Sequence, residues 1–505
     1  MNEPPRSPEP LPVVKDRTGI EGLDDILAGG FYPHRTYLVE GVPGSGKTTL
    51  AMQFLLEGAR QGEPVLYVTL SETEEELRTV AESHGWSLAG ITIRELIASE
   101  DSLRPDDQYT MFHPSEVELS ETTKAILADV ERIKPARLVF DSLSEFRLLA
   151  GSPLRYRRQI LALKQFFGGR RCTVLLLDDL TSHDHDLQVQ SIAHGVVRLE
   201  QFFPEYGAER RRLIVLKYRG VRFRGGYHDY VILRGGIAVY PRLIASEHRQ
   251  APSLEKLASG IAEMDQLLGG GIERGTSTLI VGAAGTGKSS LVAQFVSAAA
   301  ARGQNAAMFI FDESINTMLT RGDGLGIDVR SHVESGRITA RQVDPAELSP
   351  GEFSHAIRGA VERDKATVVV IDSLNGYLNA MPGERFLIIQ LHEILTYLGQ
   401  AGVATLLVGA HQGLIGAHMI TPVDASYLAD AVILMRYFET RGEVRQAISV
   451  VKKRGGAHER SIREFRLESG VGISVGPPLR HFRGVLTGVP VEDRSESPRD
   501  GDSLR

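Results

Sequence analysis

The sequence predicts an α/β fold present in two tandem copies, each a mostly parallel sheet flanked by helices. Three observations carry this expectation. The phrase GVPGSGKTTL at 41–50 returns as GAAGTGKSSL at 282–291. The stretch that begins at Thr18 aligns without a gap with the stretch that begins at Ser259. Within each copy, short apolar runs alternate with helix-period segments, the pattern of a parallel sheet covered on both faces.

The elements follow in the same order in both copies. An apolar run (TYLVE, STLIV) reads as a buried strand and leads into the glycine-rich phrase. A helix-period segment comes next (TTLAMQFLLEGARQG, SSLVAQFVSAAAARG), stopped by glycine. A second buried run follows (PVLYVTL, AAMFIF), and later a third that ends in Asp-Ser (PARLVFDSL, ATVVVIDSL). The expected boundaries are a disordered tail at 1–16, a first domain at 17–240, a linker at 241–256, a second domain at 257–485 and a disordered acidic tail at 486–505.

Composition narrows the class. A chain of 505 residues exceeds one ordinary core. Its 42% hydrophobic and 24% charged residues are those of a globular protein. No apolar run approaches the ~20 residues that cross a bilayer, and the proline-rich start has no secretory h-region. The single cysteine, Cys172, has no internal disulfide partner and precedes the run TVLLLDD, where a structural strand role is expected. A cytoplasmic location without membrane attachment follows as the expectation. The net charge of −7 argues against a dedicated nucleic-acid binder.

The repeated phrase fits G-x-x-x-x-G-K-[ST], a nucleotide-binding P-loop (Walker A). It comprises Gly41, Val42, Pro43, Gly44, Ser45, Gly46, Lys47, Thr48 and Thr49, and again Gly282, Ala283, Ala284, Gly285, Thr286, Gly287, Lys288, Ser289 and Ser290. Glycines let the backbone curl so that successive N–H groups face phosphate oxygens, and the next helix offers its positive end. Lys47 and Lys288 are expected on the β- and γ-phosphates of ATP, with Thr48 and Ser289 on Mg²⁺. A Mg²⁺–nucleotide site also wants an acid at a neighbouring strand end, and Asp141 and Asp372 supply it. Hydrolysis needs a base or a group that orients water, for which Glu72 and Glu313 align across the repeat. A helix-capping acid is the alternative reading of SETEEE. The residue before differs, Ser71 in one copy and Asp312 in the other.

Together the leader TGIEGLDDILAGG, the P-loop, the acidic turn and the FDSL or IDSL strand resemble the RecA superfamily, and within it the KaiC branch. The duplication covers nearly the whole chain, and the segment 427–465 is similar to the family's end-of-domain segment. The resemblance implies two RecA-like P-loop NTPase domains, a hexamer of stacked rings and ATP held between subunits. It implies that a K-x-R-G strand serves the neighbour's phosphates, here Lys217 and Arg219, then Lys452 and Arg454. It implies a pair of acids at the catalytic turn, kept as Asp312 and Glu313 but reduced to Glu72 in the first copy, which lowers the expected rate there. It also implies an autokinase acceptor before the strand ADAVILM. Ser426 is the candidate, Tyr427 stands where the family has threonine, and Thr421 is out of register. The functional expectation is an ATP-hydrolysing signalling switch read by a protein partner, with serine/threonine autokinase chemistry open. A DNA-dependent ATPase and a non-hydrolysing scaffold are the alternatives.

Two further stretches draw notice. His183 and His185 alternate with Asp184 and Asp186, where a polar loop is expected rather than a metal site. The run 210–224 carries seven Lys and Arg residues, which the expected subunit contacts of Lys217 and Arg219 account for without nucleic acid.

Overall fold

The computed structural model describes residues 14–96, 114–180, 187–204, 207–248, 255–344, 346–379, 387–410, 427–486 and 491–492. The chain divides into two compact units, Met1–Arg242 and Leu243–Arg505.

The first unit holds strands β1 (Thr36–Gly41), β2 (Val65–Thr69), β3 (Ile91–Glu95), β4 (Arg137–Asp141), β5 (Thr173–Asp179), β6 (Gly195–Phe202), β7 (Arg210–Tyr218), β8 (Tyr227–Leu233) and β9 (Gly236–Tyr240). They form one nine-stranded sheet in the order β3-β2-β4-β5-β1-β6-β7-β8-β9. The strands from β3 to β6 in that order run parallel, and β7 to β9 close the edge as an antiparallel meander. The second unit repeats the order with Ile338–Gln342, Asn305–Ile310, Ala366–Asp372, Ala404–Ala410, Ser277–Gly282, Ala431–Thr440, Glu443–Lys453, Arg463–Glu468 and Gly472–Pro478.

Alternation of apolar side chains explains why these runs are sandwiched strands. In β1, Tyr37 and Val39 join one buried cluster while Leu38 joins the other. In β5, Leu175 and Leu177 face one side and Val174 and Leu176 the other. A strand that is apolar on both faces buries both only between two helical layers. Each such side chain contributes roughly 1.5–3 kcal/mol by leaving water. The basic run RYRRQILALKQFF lies in the helix Pro153–Gly168, which buries Tyr156, Ile160, Leu163 and Phe167 against the sheet.

The leader motif proves structural. The Thr18 N–H and hydroxyl both donate to Asp24 Oδ1 at 2.8 Å, and the Ser259 N–H donates to Asp265 Oδ1 at 2.7 Å. Gly30 and Gly271 both have φ 117°, and a Cβ there would lie 2.3 Å and 2.6 Å from a backbone oxygen. Asp16, at the end of the expected N-terminal tail, and Phe31 exchange backbone hydrogen bonds of 2.8 and 2.9 Å. Leu243, in the expected linker, is buried in the second unit's core, and Val485 packs with Phe438 and Ala447. Cys172 is buried immediately before β5, and desolvation pushes its thiol up to about 12, which makes it unreactive.

Candidate nucleotide sites

β1 lies inside the sheet between β5 and β6, and its last residue, Gly41, opens the P-loop. The loop therefore emerges at the carboxyl end of the parallel strands, where open α/β sheets bind ligands. Gly46 (φ 92°) and Gly287 (φ 95°) stand at the N-caps of the helices Lys47–Arg60 and Lys288–Ala301. Only glycine takes this conformation without strain, and it turns the chain so that the helix N-terminus faces the loop.

In the first site Lys47 is buried. Its Nζ donates to Gly41 O at 2.9 Å and Val42 O at 3.1 Å and lies 2.6 Å from Asp179 Oδ1. Thr48 Oγ1 donates to Asp141 Oδ2 at 3.2 Å, and the Tyr67 hydroxyl donates to the same oxygen at 2.6 Å. Burial raises the Asp141 pKa above the ordinary value, with the Tyr67 hydrogen bond opposing it. Glu72 follows β2 in a turn pinned by Thr69, whose hydroxyl donates to Glu72 O at 2.7 Å. Glu72 Oε2 is buried without a hydrogen-bond partner among the described residues. Burial raises the Glu72 pKa, and the charges of Asp141, Glu76 and Asp179 add to the rise. The helix cap falls elsewhere: Thr73 and Glu76 form the capping box of the helix Glu74–Ser83, and Glu72 stands outside it.

In the second site Lys288 donates to Ala283 O at 2.7 Å, and burial lowers its pKa. Ser289 hydrogen-bonds Asp372, whose pKa rises to about 6, chiefly through burial and then through the nearby charges of Glu313 and Asp312. The Ser373 hydroxyl donates to Asp312. Glu313 receives both arms of Arg321, at 2.5 and 2.7 Å.

Magnesium holds few protein ligands and keeps water and phosphate oxygens for the rest of its shell. A hydroxyl and a carboxylate already in contact, Thr48 with Asp141 and Ser289 with Asp372, fit that requirement. Among the described residues no cluster of three or more His, Cys, Asp or Glu has the arrangement of a metal centre. His183, His185 and Ser426 lie outside the described residues.

The K-x-R-G residues lie at the other end of each sheet. Lys217 pairs with Val196, next to Gly195, which faces Tyr37 near the start of β1. Its Nζ donates to Gln190 O at 2.7 Å, and Arg219 donates to Ser191 O at 2.8 Å. Burial, Arg219 and Lys164 lower the Lys217 pKa. Likewise Lys452 pairs with Val432 and donates to Ala429 O at 2.8 Å, and Arg454 donates to Tyr427 O at 2.9 Å. Elsewhere in the run 210–224, Arg211, Arg212 and Arg224 sit within 2.8, 2.8 and 3.6 Å of Glu209, Glu200 and Asp25.

A sequence model described as "ATPase: KaiC" matches residues 16–244 and again 257–480. The chain belongs to the KaiC ATPase family. Its similarity to KaiC-family proteins extends end to end. It is 29% identical to the circadian clock oscillator protein KaiC of Synechococcus elongatus over 509 residues, covering 99% of this chain and 97% of that one. It is 28% identical to the circadian clock protein KaiC3 of Synechocystis sp. over 488 residues, covering 95% of each. The RecA-like fold expected from the sequence is that of both KaiC domains here, and no described helix is long and apolar enough to cross a membrane.

Four residues around the KaiC-type loops escaped sequence reading. Tyr67 aligns with Met308 and Asp179 pairs with Gly41 where Ala410 pairs with Gly282. Arg321 aligns with Val80, and Ser373 follows Asp372 as Ser142 follows Asp141. The one available signal was TVLLLDD against TLLVGA, an acid ending a strand in one copy alone.

Proposed function

We propose that the protein is an assembly-coupled ATPase switch in which both domains hold Mg²⁺–ATP and an adjoining copy completes each pocket. One observation carries this reading. Lys217 and Lys452 sit three residues, about 10 Å, back along the sheet from the glycine that opens their own domain's P-loop, and reach further back still. They are poorly placed to serve that loop, which supports reading them as cations for the loop of an adjoining copy. Burial first, and then the neighbouring cations Arg219 and Lys164, lower the Lys217 pKa, and this gathering of positive charge favours an anion brought from outside.

In this reading Lys47 and Lys288 neutralise the triphosphate while the loop N–H groups orient it. Thr48 with Asp141, and Ser289 with Asp372, would hold Mg²⁺, which offsets charge on the phosphate oxygens. Glu72 and Glu313 take the proton of the attacking water, and a raised pKa suits Glu72 to that task. The trans cations stabilise charge that builds on the γ-phosphate, so hydrolysis depends on assembly. A hexamer of stacked rings is the assembly the family resemblance implies, with nucleotide state altering a surface that a protein partner reads. Transfer to a hydroxyl such as Ser426 is the autokinase variant, in which Glu313 takes the hydroxyl proton instead.

The test is phosphate release by the purified protein. Lys217→Ala with Lys452→Ala is expected to cut turnover by a factor on the order of 10³, as loss of a trans cation does. Unchanged turnover rejects the trans arrangement. Labelled ATP run in parallel separates free phosphate from protein-bound phosphate and so tests the autokinase variant.

A further inference from the structure

The two candidate bases stand in opposite states. Glu72 keeps a buried oxygen with no hydrogen-bond partner among the described residues. Glu313 is gripped by the guanidinium of Arg321, one nitrogen to each carboxylate oxygen, at 2.5 and 2.7 Å. This fork is the strongest geometry available to an arginine and a carboxylate. The two side chains are 30% and 19% exposed, so water screens the pair only in part. Arg321 stands eight residues after Glu313, in the helix Ile315–Leu325. The aligned position in the first domain is Val80, which packs against the apolar core. Asp312, the neighbouring acid, is engaged differently: the Ser373 hydroxyl donates to one of its oxygens.

We propose that Arg321 is a positioning residue that latches Glu313 and holds hydrolysis at the second site slow until the fork opens. The inference rests on the reading of Glu313 as the second-site base. A carboxylate with both oxygens engaged by a guanidinium is a weak acceptor for the proton of water. The ion pair must loosen before proton transfer, so the latch sets the fraction of time the base is available. Among the described residues the first site has no such fork, and Val80 stands where Arg321 does. The acid count at the two turns therefore misranks them: the copy with two acids is the restrained one.

The experiment uses the full chain carrying Glu72→Gln, in which released phosphate comes from the second site. Adding Arg321→Ala is expected to raise kcat for phosphate release about tenfold, within the range of general-base effects, while affinity for a fluorescent ATP analogue changes by less than about twofold. Arg321→Lys, which keeps the charge but loses the fork, is expected to fall between the two and covers the case in which the alanine variant folds poorly. Adding Glu313→Gln is expected to remove the gain. An unchanged or lower kcat in both Arg321 variants overturns the latch while leaving Glu313 as the base. A gain that survives Glu313→Gln also overturns it, and shows that the assignment of the base, rather than the ion pair, has failed.

Discussion

Lys47 illustrates how far a residue's behaviour depends on what stands opposite it. β1 and β5 end together, Gly41 beside Asp179, which brings a carboxylate within 2.6 Å of the P-loop lysine. In the second domain Gly282 ends beside Ala410, and Lys288 meets no acid from that strand. A triphosphate at the first loop must compete with Asp179 for Lys47 and tolerate a negative charge beside it. Asp179→Ala is therefore expected to tighten ATP binding at the first site by roughly three- to tenfold, a change of about 1 kcal/mol. Equilibrium binding in a Lys288→Ala background isolates that site, and weaker binding in the Asp179 variant would count against the competition.

At the scale of elements, the antiparallel edge of the first sheet carries a titrating buried group. His228 on β8 accepts from the Arg242 N–H through Nδ1 at 2.9 Å and faces Arg224 O through Nε2 at 2.9 Å. The neutral ring with its proton on Nε2 satisfies both contacts, whereas a second proton would oppose the Arg242 N–H. Burial is the main cause that lowers its pKa to about 4, and Arg224 and Arg242 act in the same direction. In this window the unfolded state, with an ordinary value near 6.5, binds more protons than the folded state. Stability of the first domain is therefore lost as pH falls from about 6.5 through about 4, by up to roughly 3 kcal/mol from this residue. Glu72, Asp141 and Asp178 have raised pKa values and act in the opposite sense. Comparing urea unfolding of the natural protein with His228→Gln across that range isolates the histidine, and parallel pH dependences would refute its role.

At the scale of the whole molecule, a trans arrangement predicts complementation. Protein carrying Lys47→Ala and Lys288→Ala cannot grip nucleotide but still offers Lys217 and Lys452. Protein carrying Lys217→Ala and Lys452→Ala grips nucleotide but cannot complete a neighbour. Dissociated and reassembled together, the two are expected to recover turnover that neither shows alone, up to about a quarter of the original from statistical mixing at equal amounts, if assembly places subunits in a closed ring. Absence of any recovery in mixed assemblies shown to contain both variants would place the cations elsewhere.

The sequence by itself determined the duplication, the parallel α/β fold and the two glycine-rich P-loop motifs. Each of these is written locally: glycines set backbone angles, apolar periods set strands and helices, and Asp141 and Asp372 end recognisable strands. Tertiary structure alone decided how the two sites differ. The contacts of Lys47 with Asp179 and of Asp141 with Tyr67 join elements distant in the chain, and even the nearer grip of Arg321 on Glu313 depends on how a helix leans over its turn. The physical reason is that backbone conformation answers to neighbours in sequence, whereas the charge felt by a lysine or a carboxylate answers to neighbours in space.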